Sequence, residues 1–475
     1  MTATATATAT LLILGADGDL TKRLLLPGLG TLLAVYDLDL EVIGSGLQER
    51  SDAEWRALVA EAFGEVPEPR RARLVDSSRY VRADAADADD LSHLLAECAA
   101  VPVIYFALPP SVTARVCAEL EGIPRPEGLR LALEKPFGTD LESARRLNEL
   151  LTRIVPERQV YRIDHFLGRA TVLNILGTRF ANRLIEPIWN RNVIERVEIV
   201  YDETLALESR AGYYDHAGAL VDMIQSHLLA VLALIAMEPV DRVDEVVLRD
   251  AIATVLRATA VWDDDPVTAS RRARYSAGEI EGRALPAYAD EDGVDPSRDT
   301  ETYAEVTFRV SNWRWAGTPF RLRTGKAIGT ERREIAVHFK SVPHEPFDDR
   351  DRPNVLRFQL SPDAISLQLN LNGEGDPFDL EQVGLDAEFP TQELPPYSLL
   401  LKEILEGDAT LSIRGDEAEE LWRIVEPVLS AWADNEVPLE EYRAGSAGPS
   451  GARVPEQAGA DEKRGTAPGD DPNAG

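Results

Sequence analysis

Five short runs in the first third of the chain are mostly apolar: residues 10–14, 41–44, 101–108, 129–133 and 160–164. Continuous apolar runs of this length mark strands covered on both faces, whereas a half-exposed strand alternates. Helical patterns lie between them, as over 19–33 and 51–63. The second opens on Ser51 with Glu54 three positions later, the pairing that closes a capping box. Buried strands joined by helices fit a parallel sheet with helices on both faces. The expected fold is therefore α/β. A doubly wound, Rossmann-like dinucleotide-binding domain spans residues 10–170, after a low-complexity Ala-Thr repeat at 1–9. Directly behind the first run stands the turn Gly15-Ala16-Asp17-Gly18, with a helix starting at Asp19-Leu20. Such a turn sets backbone N–H groups and a helix N-terminus against a pyrophosphate. The spacing is Gly-x-x-Gly rather than Gly-x-Gly-x-x-Gly, so an ordinary strand-to-helix turn is the competing reading.

Beyond residue 170 the pattern changes to alternating β-branched runs near 196–201, 302–310, 318–323, 335–339 and 364–371. One long helix is expected at 218–236, and two returning helices at 395–405 and 416–432. This second domain, 171–445, reads as α+β on a large, mostly antiparallel sheet. From Ser446 to Gly475 the chain turns to Gly, Pro, Ala and charge, a composition that predicts disorder.

Charge removes whole classes of function. Lys and Arg number 50 against 82 Asp and Glu, a formal net charge of −32. A nucleic-acid binder needs a basic field, and docking on an anionic membrane needs the same. Neither partner is expected. No run of about 20 apolar residues suggests a membrane span, and residues 1–14 carry no basic leader. A cytoplasmic location follows as an expectation. Two cysteines, Cys98 and Cys117, rule out a disulfide scaffold or zinc ribbon, and no metal is expected.

Particular segments say more. Gly15-Ala16-Asp17-Gly18-Asp19-Leu20-Thr21-Lys22-Arg23 is followed by Glu134-Lys135-Pro136-Phe137-Gly138 and Arg162-Ile163-Asp164-His165-Phe166-Leu167-Gly168. Later come Pro187-Ile188-Trp189-Asn190-Arg191, Gln225-Ser226-His227 and Arg323-Thr324-Gly325-Lys326. In this order, over residues 10–449, the chain resembles the glucose-6-phosphate dehydrogenase family. The resemblance implies oxidation of glucose 6-phosphate to 6-phosphogluconolactone, the first step of the oxidative pentose phosphate pathway, with hydride passing to NADP. It implies a homodimer or homotetramer. His227 matches the general base and Asp164 its carboxylate partner, a pairing that suits a histidine working near neutral pH. His165 and Arg169 match phosphate ligands. Lys135 matches a lysine between cofactor and substrate, Lys326 a substrate-side lysine, and Glu203 and Asp222 carboxylates on sugar hydroxyls. Gly15, Asp17, Gly18, Asp19, Leu20, Gln48 and Arg50, with Lys135, fall on the cofactor side.

Departures bear on specificity. Phe166 stands where the family has Tyr, Leu24 and Glu331 where it has basic residues, and Ser226 where it has Asn. Each lost charge-assisted contact is worth about 1.5–3 kcal/mol, to be offset by Arg169 and Arg332. Leu47 replaces the arginine that would face the ribose 2′-phosphate of NADP, with Arg50 as substitute, so NAD stays an alternative. Two other readings follow: the same chemistry on an unphosphorylated sugar with NAD, and a non-catalytic regulatory paralogue. Against the latter stand Asp164 and His227. The few cations expected to capture two anionic ligands in this acidic chain are Lys22, Arg23, Lys135, His165, Arg169 and Lys326.

Overall fold

The computed structural model describes residues 9–208, 211–347, 352–373, 375, 378–389 and 392–450. The first eight residues of the Ala-Thr repeat and the tail from 451 lie outside that range.

The apolar runs become β1 (Ala9–Leu14), β2 (Leu40–Gly46), β4 (Val101–Phe106), β5 (Arg130–Glu134) and β6 (Val160–Ile163), with β3 (Arg79–Arg82) at one edge. All pair in parallel, in the order β3-β2-β1-β4-β5-β6. Connections run to opposite sides of β1 and β4, so a crevice opens at their carboxyl ends, where α/β sheets bind ligands. The helix Asp52–Ala62 carries the expected capping box, with Glu54 N–H on Ser51 Oγ at 3.3 Å and Ser51 N–H on Glu54 Oε2 at 2.8 Å. Ala9 already belongs to β1 and is buried, so the repeat gives way to structure one residue early.

The second sheet has ten strands: β7 (Ile194–Asp202), β8 (Thr259–Val261), β9 (Ser270–Ser276), β12 (Tyr303–Val310), β13 (Phe320–Gly325), β14 (Arg332–Phe339), β15 (Val355–Leu360), β16 (Asp363–Asn372), β17 (Leu380–Glu388) and β18 (Leu439–Arg443). A separate hairpin joins β10 (Gly278–Ile280) to β11 (Arg283–Leu285). The order is β17-β16-β15-β14-β7-β13-β12-β9-β18, with β8 beside β12. Only β7–β13 and β9–β18 pair in parallel among the described residues. The sheet is thus mostly antiparallel.

Three features tie the domains together. The helical run Ala211–Ala236 is long and apolar enough to cross a membrane, contrary to the sequence expectation, yet it is wrapped in the core of the fold. Asp215, Asp222, Gln225 and His227 interrupt its apolar pattern, and all four are buried. The helix Pro396–Glu406 lies on the first domain's helix Leu26–Val35, where Ser398 Oγ donates to Gly28 O at 2.8 Å. The helix Gly415–Ala433 lies on Leu141–Ile154, where Asn148 Nδ2 donates to Gly415 O at 2.8 Å. Segments late in the chain therefore brace the cofactor domain.

The predicted disordered tail needs one correction. Residues 446–450 are held to the body: Ser446 O accepts Gly329 N–H at 2.8 Å, Ala447 O accepts Arg323 at 2.9 Å and Ser450 O accepts Arg271 at 2.7 Å. Small residues with no large apolar side chain are anchored here through their backbone carbonyls, which composition does not reveal.

Candidate active site

The turn after β1 fills the crevice at the switch point. Gly15 sits at φ +85°, and a Cβ there would lie 2.2 Å from the carbonyl oxygen of Ala107 at the end of β4, so only glycine fits. Gly18 N–H closes the turn on Gly15 O at 3.0 Å, and the chain turns helical at Asp19 and Leu20. Beside this turn is a cavity of about 230 Å³ lined by Gly15, Asp17, Leu47, Gln48 and Leu108 among others. A glycine-tight cradle with an apolar floor at a helix N-terminus fits a dinucleotide. Asp17 works inside the protein: Oδ2 accepts from Tyr80 Oη at 2.7 Å and Oδ1 from Arg50 Nη2 at 3.1 Å. Arg50 is thereby fixed at the cavity edge over the Tyr80 ring. Leu47 is 67% exposed, and its carbonyl accepts Arg82 Nε at 3.1 Å.

The loop leaving β6 carries Asp164, His165 and Phe166. Facing it is a π-helical stretch, Leu220–Leu228, inside the long buried helical run. Its wider turn presents Asp222 and His227. His227 Nδ1 donates to Asp164 Oδ1 at 2.5 Å, and both side chains are almost fully buried. Phe166 N–H holds the same carboxylate oxygen at 2.9 Å. The Phe166 ring stacks on the His227 imidazole, centroids 4.3 Å apart and 14° from parallel. Burial pushes the Asp164 carboxyl up, but the charge and hydrogen bond of His227 more than offset this and hold it at about 2. Burial lowers the His227 imidazole, and Asp164 opposes that only in part. The resting pair is thus carboxylate and neutral imidazole, with the lone pair on Nε2. Asp164, His165 and His227 bring ligand-type atoms within 4.8 Å of one another, but the Asp164–His227 bond already uses two of them.

Around this pair the structure gathers the other predicted residues. Lys135 Nζ donates to Asp222 O at 2.5 Å and lies 3.4 Å from Asp222 Oδ1. Both charges act on the His227 imidazole. Lys326 Nζ reaches Glu203 Oε2 at 2.9 Å. Arg169 lies with its guanidinium 4.8 Å from the Phe166 ring centroid and donates to Leu360 O at 3.0 Å. His165 packs edge-on against His227 at 4.9 Å. Burial drives its imidazole down to about 3, so His165 is a neutral hydrogen-bonding group and not the cation expected from sequence. Two further residues lie apart from the Asp164–His227 pair. Arg332 points to the opposite face of β14, where it pairs with Glu334 at 2.8 Å and Glu198 at 3.1 Å. Lys22 lines a separate groove with Leu58 and Glu61.

Sequence reasoning passed over Tyr201, Tyr397 and Arg333. Tyr397 lies nearly parallel to the His165 ring at 6.0 Å and hydrogen-bonds Glu134, which also accepts from Tyr105 Oη at 2.5 Å. Arg333 and Tyr201 meet across β14 and β7. The alternation of those strands was a signal for both; nothing in the sequence pointed to Tyr397.

The fold has known relatives. Residues 12–174 match "Glucose-6-phosphate dehydrogenase, NAD binding domain" and residues 176–460 match "Glucose-6-phosphate dehydrogenase, C-terminal domain". The chain belongs to the glucose-6-phosphate dehydrogenase family. The glucose-6-phosphate 1-dehydrogenase of Treponema pallidum (strain Nichols) is 38% identical over 474 residues, covering 93% of this chain and 92% of the relative. A crystal structure of the Mycobacterium avium glucose-6-phosphate 1-dehydrogenase superposes with a TM-score of 0.81 at 34% identity, over 94% of this chain and 96% of that one. A glucose-6-phosphate dehydrogenase solved with its substrate glucose 6-phosphate superposes with a TM-score of 0.83 at 28% identity, over 95% and 97% of the two chains. As in other members of the glucose-6-phosphate dehydrogenase family, a nicotinamide-binding domain comes first and the larger sheet domain second.

Proposed function

We propose that this protein oxidises glucose 6-phosphate at C1 to the lactone, with His227 as general base and Asp164 as its partner. The observation that carries this is the buried Asp164–His227 pair at 2.5 Å, beside the crevice of the dinucleotide-binding sheet. Neutral His227 takes the anomeric proton on Nε2. Asp164 stabilises the imidazolium so formed and keeps the ring in the tautomer that accepts there. Phe166 stacked on the imidazole fixes its plane and keeps water from that face. Glu203 and Asp222, held by Lys326 and Lys135, accept from sugar hydroxyls. Gly15, Gly18, Asp19, Leu20 and Gln48 form the cofactor cradle. When bound there, a nicotinamide dinucleotide supplies the hydride acceptor. NADP is the proposed form, with Arg50 and Arg82 near Leu47 in place of an arginine at 47 itself. A cytoplasmic homodimer or homotetramer completes the reading, joined across the outer strands β16 and β17, where Leu371, Val383 and Leu385 are exposed.

A two-by-two assay tests it: glucose 6-phosphate or glucose, against NADP or NAD. Reduction of nicotinamide is expected with the phosphorylated sugar at a far higher kcat/KM than with glucose. Equal constants for the two sugars would sink the phosphate reading, and a higher kcat/KM with NAD would reassign the cofactor.

A further inference from the structure

Resting on the proposed function, the question is what holds the substrate's phosphate when two familiar ligands are missing. Phe166 offers no hydroxyl, and position 331 holds Glu331 where a basic residue is expected. Side chains alternate across a strand, so positions 331 and 333 share a face while Arg332 takes the other. The structure bears this alternation out, with Arg332 tied to Glu198 and Glu334 on the far face. Arg333 instead stands directly opposite Tyr201 in the register of β14 and β7. Its guanidinium lies 5.0 Å from the Tyr201 ring centroid, and that of Arg169 lies 6.0 Å from the same ring. Arg169 also donates to Leu360 O, one residue beyond Gln359, which pairs with Glu334. Two arginines from different elements thus converge on one aromatic ring beside His165 and Phe166. In each, Nε is buried without a hydrogen-bond partner among the described residues.

We infer that Arg333, together with Arg169, is the phosphate ligand of this enzyme, the positive charge absent at 331, just before β14, having moved two positions on to the side chain that Glu331 contacts. A shift of two residues is about 7 Å, within reach of an extended guanidinium. Arg333 is also well placed along the substrate. Its Nη2 lies 3.7 Å from Glu203 Oε1, and Glu203 pairs with Lys326 at the sugar end. The same Nη2 is 2.9 Å from Glu331, whose side chain is 42% exposed. Solvent screens the pair from the Glu331 side, so a phosphate dianion can compete with Glu331 for Arg333. Arginine suits the task because its planar fork binds phosphate through two parallel bonds.

The test compares Arg333→Met, which keeps the aliphatic stem over Tyr201, Arg333→Gln, and Arg332→Gln as the control on the opposite face. Initial rates are measured with glucose 6-phosphate and with glucose at saturating nicotinamide. The Arg333 variants are expected to raise KM for glucose 6-phosphate about tenfold or more, well beyond their effect on glucose, while Arg332→Gln does neither. If one Arg333 variant does not fold, the other carries the comparison. Equal rises for both sugars, or Arg333 variants matching Arg332→Gln, overturn the inference and leave the proposed function standing. A wild type without preference for the phosphorylated sugar overturns both.

Discussion

His227 rests neutral because burial outweighs the pull of Asp164, and in the proposed reaction the same carboxylate supports the charge that His227 gains. Asp164→Asn is expected to lower kcat by about 10²–10⁴-fold. A carboxylate raises a neighbouring imidazole, so removing it shifts the acid limb of kcat/KM to lower pH. A pH profile whose limb stays in place, or moves up, would contradict this assignment. Much at this scale was legible in the sequence: Asp164 and His227, paired there only through the resemblance, meet in the structure, and Lys135 lies against Asp222. What was not legible depends on which way a side chain faces. Arg332 and Arg333 are adjacent and chemically identical, and only the pairing of β14 with β7 separates them. The charge state of His165 was likewise hidden, since it comes from burial against His227 and not from its neighbours in sequence.

At the level of elements, the helix that carries His227 owes its position to a break. Gly218 has φ 67° and ψ 176°, a conformation close to glycine-only, and a Cβ there would fall 2.4 Å from Glu301 Oε1. Glu301 Oε1 in turn accepts Leu220 N–H at 2.9 Å, capping the π-helical stretch that presents Asp222 and His227. Gly218→Ala is therefore expected to cost at least about 1–3 kcal/mol of stability and to reduce kcat, since the stretch it displaces carries His227, the proposed base. Denaturant unfolding with parallel kinetics checks this; wild-type values in both would refute the role of the break. The buried parallel strands were readable because apolar residues dominate them. By contrast β9 went unread: its Arg271 and Arg272 are buried yet charged, the first paired with Glu440 and the second donating to Val437 O. The edge strands β3 and β17 have too little buried apolar surface to leave a pattern.

Over the whole molecule the charge of −32 is managed inside as well as outside. Burial raises Glu134 and Glu301 to about 7 and Glu417 to about 8, from an ordinary value of 4.5. Between those limits the folded chain binds more protons than the unfolded one, so these groups make stability fall as pH rises from about 5 to about 8. Asp164, held at about 2, acts oppositely and matters only in acid, as pH falls through that value. Glu301→Gln is expected to flatten the decline in melting temperature between pH 5 and 8; an unchanged slope would remove Glu301 from the account. The central claim is that this fold brings Asp164 and His227 together to oxidise a sugar phosphate. The most direct measurement is nicotinamide reduction by glucose 6-phosphate in the wild type and in His227→Asn, alongside equilibrium binding of the sugar phosphate to each. Turnover is expected in the wild type, and a loss in kcat of about 10²–10⁴-fold or more in His227→Asn, with binding retained. A folded wild type that does not turn over, or a His227→Asn enzyme that works at the wild-type rate, would contradict it.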